Sequence, residues 1–145
     1  MIGRFFSSDE ISRDLGLLLV RLGVGSSMAI FHGYGKITAG VEKWSSIGGS
    51  MANLNVGFYP VFWGFMAGFA EFVCSILLVI GILFRPAAFL LAFTMFVAAM
   101  NHLSRPAGEP GAGWSAASHA LELMSVYLCL MFTGPGKYSF TLRGR

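Results

Sequence analysis

Four long apolar runs, at residues 15–34, 61–84, 86–103 and 115–133, alternate with shorter polar breaks rich in Gly and Pro. Each run is close to the roughly 20 residues needed to cross a ~30 Å hydrocarbon core as a helix. The pattern predicts an all-α fold: an integral membrane four-helix bundle in one transmembrane domain over residues 1–145. Ser12 or Asp14 is placed to cap the first helix, because a side-chain oxygen satisfies free backbone N–H groups there. The first run contains Arg21 and lacks a clear A-x-A site, so it reads as retained rather than as a cleaved signal. Gly16, Gly23 and Gly25 in the first run, and the Gly64/Gly68 pair in the second, are small residues that let helices approach closely in lipid.

The breaks carry their own signals. Residues 37–60 are too polar to span. Trp44, Ile47, Met51 and Leu54 recur there at spacings of three to four, which predicts a short interfacial amphipathic segment lying on the surface and able to cover the mouth of the bundle. Pro60 opens the second helix, where its missing N–H costs little. Arg85-Pro86 predicts a tight turn between the second and third helices. Residues 104–114 form a Pro/Gly loop, and Gly134-Pro135-Gly136 stops the fourth helix.

Composition strengthens the membrane reading. Of 145 residues, 55% are hydrophobic and 12% charged, against about 25% charged in a typical soluble domain. The length leaves no room for a separate soluble catalytic unit. The formal net charge is +3, but the basic residues are scattered singly beside apolar runs, so no nucleic-acid partner is expected. Arg4, Arg13, Arg85, Lys137, Arg143 and Arg145 fall on the side of the termini, and Lys36, Lys43 and Arg105 on the other. This bias predicts both termini in the cytoplasm of a bacterial or archaeal cytoplasmic (inner) membrane. Cys74 and Cys129 form no C-x-x-C. They read as two buried, inert thiols, with a contact at similar depth left open.

Ionisable groups inside membrane spans usually turn inward to a partner or a water-filled cavity. His119 and Glu122, three apart on the fourth helix, share a face. Glu71 sits near the middle of the second helix. His32 and Lys36 end the first helix, and Asn101 and His102 end the third. If the four helices enclose one interior, these groups line a single cavity that opens outward and narrows at Glu71. Arg21 lies nearer the other half. It either reaches up to Glu71 or snorkels down to the headgroups.

The order of these residues resembles the DoxX family of small four-helix membrane proteins. The first helix reads R-x(10)-H-G-x-x-K (Arg21, His32, Gly33, Lys36). The second carries Glu71, then Gly81 and Arg85. The third ends in His102, and the fourth carries Glu122 and ends in Gly134, Pro135, Gly136 and Ser139. The resemblance runs from about residue 16 to 139. It implies a four-helix bundle in the lipid bilayer and an association with redox systems, including thiosulfate:quinone oxidoreduction, but no settled reaction.

The functional expectation is an accessory subunit of a membrane redox system that binds a quinone, or another small molecule, in the outward polar cavity. Glu71 and Glu122 would handle protons there. His32, His102 and His119 would hydrogen-bond, and Lys36 and Arg21 would offset carboxylate charge. For His119 and Glu122 a hydrogen-bonded pair fixing helix register stays open. A metal is not expected; were one held, His102, His119 and Glu122 would be its ligands. Two other classes stand beside this: a small-solute carrier, and a structural anchor that recruits soluble redox enzymes, either of them with homo-oligomerisation open.

Overall fold

The computed structural model describes residues 11–140, so Arg4, Arg143 and Arg145 lie outside the described residues. Among the described residues, four helices are long and apolar enough to cross a membrane: α1 (Arg13–Ile37), α3 (Pro60–Ile80), α4 (Phe84–Ser104) and α5 (Trp114–Thr133). A short helix α2 (Val41–Gly48) and a 3-10 turn (Gly49–Leu54) lie between α1 and α3. Exposed Phe31, Phe62, Phe89 and Phe132 give the bundle an apolar outer surface, as contact with lipid tails requires.

The sequence punctuation acts largely as expected. The Ser12 side chain accepts from the Leu15 N–H and caps α1, while Pro60 is the first residue of α3. Gly134, at φ +79, ends α5. The α3–α4 turn differs. It falls at residues 81–83 rather than at Arg85-Pro86, with Gly81 at φ +87 and Leu83 at φ +46. Pro86 sits inside the first turn of α4, where a helix has no intrahelical use for its N–H.

Tertiary packing begins with two antiparallel partners, α1 with α3 and α4 with α5, and α4 also packs on α3. Glycines set the closest approaches along α3. A Cβ on Gly25 would meet the Val79 side chain and the Ser75 carbonyl, and one on Gly33 would overlap the Glu71–Phe72 backbone. A Cβ on Gly64 would overlap the Trp44 backbone, and one on Gly48 the Pro60 carbonyl. Gly16 and Gly23 meet nothing within 4 Å.

These contacts seat the amphipathic segment: α2 packs against the first turns of α3. The Trp44 ring packs edge-on to Phe65 at 5.2 Å, and its indole N–H donates to the Lys36 carbonyl at 2.7 Å. Gly48 and Gly64 permit this, because without side chains two helix backbones can touch.

Both α1 and α3 widen into a π turn, at Met28–Gly33 and Ala70–Cys74, and the two turns pack on each other. The core beneath them holds Met28, Cys74, Leu78, Leu91, Met95, Tyr127 and Leu130. Cys74 is buried and Cys129 exposed, and both are free thiols. The expectation of two buried thiols therefore holds for Cys74 alone, since Cys129 lies on the outer face of α5.

Candidate functional site

The eight candidate residues do not share one interior. They divide among three places.

Arg21 occupies the first, and neither expected position is its own. It is fully buried, at the end of the bundle where the α3 C-terminus meets the 134–140 tail. The last four carbonyls of a helix have no intrahelical partner, and here each finds one. The Leu77 carbonyl accepts from the N–H groups of Gly81 and Ile82. The Arg21 guanidinium donates to Leu78 at 2.9 Å and to Val79 at 2.5 Å. The Phe140 N–H donates to Ile80 at 3.1 Å. The same guanidinium reaches the Pro135 and Tyr138 carbonyls at 2.7 and 2.9 Å. A cation also favours the negative end of a helix dipole. Arg21 is thus a positioning residue that ties three segments together.

The second place is a cavity of about 660 Å³ between α2 with its 3-10 turn, α3 and α4. At its inner wall the Lys36 ammonium meets Glu71 Oε1 at 2.6 Å. The Glu71 side chain is 2% exposed and that of Lys36 33%. The π turns set this meeting: that of α3 contains Glu71, and that of α1 ends three residues before Lys36. Lys36, counted from the sequence among the loop charges, is therefore spent on this pair. Glu71 Oε2 is buried and without a hydrogen-bond partner among the described residues, as is the indole N–H of Trp63, another lining residue.

Asn101, His102 and Arg105 line the cavity toward the C-terminal end of α4. His102 Nδ1–H donates to the Gly111 carbonyl at 2.7 Å, and Arg105 donates to the Pro110 carbonyl at 3.0 Å, which pins the 104–114 loop beside the rim. Ile47 and Met51 line the wall opposite, so the amphipathic segment does cover the cavity. Trp63 and Thr94 were not among the candidates, though a signal for both exists. Trp63, Ala67 and Ala70 fall on the face of Glu71 at helical spacing, and Thr94 on that of Asn101.

The third place holds His32, His119 and Glu122, all exposed. No residue of α5 lines the cavity, so the fourth helix does not supply the expected wall. α5 instead turns Ala117, Ala120, Tyr127 and Leu130 inward, and its contact with α4 lies on that side. His32 and His119 meet across a separate groove of about 470 Å³ between α1 and α5, their ring centres 6.1 Å apart.

Chemically, the cavity offers a largely apolar volume with a charged pair at its inner wall. It suits a molecule with an apolar body and a carbonyl or anionic head. A model of the DoxX family matches residues 16–103 of the chain. Neither curated proteins nor solved structures give a match.

Proposed function

We propose that this chain, which belongs to the DoxX family, binds a quinone-type molecule in the cavity between α2, α3 and α4, as the membrane-embedded accessory subunit of a redox system. The supporting observation is the Lys36–Glu71 pair set in the wall of a mostly apolar cavity of about 660 Å³, a volume within the range of small-molecule sites. A quinone carbonyl accepts hydrogen bonds, and the Lys36 ammonium and the unpartnered Trp63 N–H are donors in that wall. Glu71 is the carboxylate placed to exchange a proton with the bound head group.

In this reading the termini face the cytoplasm of a bacterial or archaeal cell membrane. Arg13, Arg85 and Lys137, with Arg4, Arg143 and Arg145 of the sequence, mark that side. With Lys36 withdrawn into the ion pair, Lys43 and Arg105 alone remain on the other side, and the bias grows. The cavity then opens toward the outer leaflet.

The test is a titration of purified protein in nanodiscs with short-chain ubiquinone and menaquinone analogues, read by quenching of tryptophan fluorescence. Saturable quenching is expected. Lys36→Met and Glu71→Gln should each weaken it by about tenfold or more, the cost of stranding one partner of a buried pair. Quenching that never saturates, or that is identical in both variants, would sink the proposal.

A further inference from the structure

The groove between α1 and α5 is distinct from the cavity, and the proposed function does not use it. His32 lies five residues before the end of α1 and His119 five residues after the start of α5, so each stands about 7.5 Å inside its helix end at 1.5 Å per residue. Their rings come from two helices at matched depth and sit 6.1 Å apart at 37°. Both are exposed in predominantly apolar spans, where ionisable side chains are rare and tend to mark function. Two imidazoles bound to one metal at about 2.0–2.1 Å place their ring centres roughly 5–6.5 Å apart. The upper part of that range, where the pair stands, corresponds to a wide N–metal–N angle, roughly 145°.

A third donor of a different class lines the same groove. Met28 stands one turn before His32, is 3% exposed, and belongs to the groove wall and the core together. Among the described residues no group of three or more His, Cys, Asp or Glu gathers as metal ligands. The donor set is therefore two imidazoles and one thioether. Thioether sulfur is a soft ligand that selects Cu(I), and imidazole suits copper as well. A wide angle between two nitrogens also suits the low coordination numbers of Cu(I), whereas Zn(II) asks for a closed tetrahedron.

We propose that His32, His119 and Met28 form a Cu(I) site in the groove between α1 and α5. A bound ion would join α1 and α5 at the end opposite the Arg13 bond to the Thr133 carbonyl and the bonds of Arg21 and Asp14 to Pro135 and Lys137 of the tail that follows α5.

The experiment uses the full chain in nanodiscs under anaerobic conditions, competing for Cu(I) against a chromophoric chelator. Wild type should withdraw one equivalent. His32→Ala and His119→Ala should each weaken retention by about 10–100-fold, and Met28→Leu, which keeps the core volume, should narrow the preference for Cu(I) over Zn(II). Cu(I) should also raise the melting temperature of wild type and not of the double histidine variant, which reports the site separately from any change in folding. Retention equal to wild type in the double variant, loss only on His102→Gln, or tighter binding of Zn(II) than of Cu(I) would each overturn the assignment. None of these readouts depends on quinone binding.

Discussion

At the scale of the residue, Arg21 shows how a charge at membrane depth is accommodated. An unpaired charge in a span costs at least about 2.5–3.5 kcal/mol on insertion scales. Arg21 avoids that cost by serving four carbonyls that would otherwise be stranded. Gly81 is bound into the same arrangement, since a Cβ there would meet Ser139 and the guanidinium. Arg21→Ala should therefore lower stability by about 3–5 kcal/mol, comparable to breaking a buried ionic contact. Arg21→Lys should recover only part of it, because one ammonium cannot reproduce the planar fork. Thermal unfolding in a single detergent measures both. An Arg21→Lys variant as stable as wild type would mean that charge alone matters.

At the scale of the element, the two π turns and the glycines determine which residues meet. A π turn inserts one residue into the helical ladder and rotates the face that follows. Gly33 lies in one such turn against the backbone of Glu71 in the other, so the approach that brings Lys36 to Glu71 depends on it. Gly33→Ala and Gly64→Ala should each cost about 1–3 kcal/mol, as overpacking does. Gly33→Ala should also perturb the cavity. Gly16→Ala and Gly23→Ala, with nothing within 4 Å, should stay within about 0.5 kcal/mol of wild type. Differential scanning of the four variants checks the ranking. Equal losses at all four positions would show that the contacts at Gly33 and Gly64 do not decide the cost, since helix propensity by itself favours Ala over Gly.

At the scale of the whole molecule, the bundle is asymmetric. All four membrane helices contribute to one core, while α2 packs against α3 outside it and α5 packs on α4 with its polar residues facing out. The thiols report this packing. A small maleimide applied to folded protein should label Cys129, which is exposed, and spare Cys74, which is buried. Labelling should persist in Cys74→Ala and vanish in Cys129→Ala. Labelling of Cys74 at a comparable rate would contradict the packing of α3.

The apolar runs, with their Ser, Pro and Gly boundaries, were enough to predict four membrane helices, because span length and backbone satisfaction in lipid are local requirements. The family resemblance rested on the same linear order. Glu71 stood out as the deep polar residue because a mid-span carboxylate is costly wherever it faces. Its partner could not be read: Lys36 looked like an interfacial end, and Arg21 an equal claimant. That choice depends on how far α1 is shifted along α3, on two π turns, and on glycine contacts between segments far apart in sequence. The same holds for His119 and Glu122. Their shared face follows from helix periodicity, but whether it turns inward depends on which side of α5 packs against α4. Tertiary structure alone decides this, since a helix in lipid gains no hydrophobic advantage from burying an apolar face, so the periodicity of its apolar residues does not mark the inside.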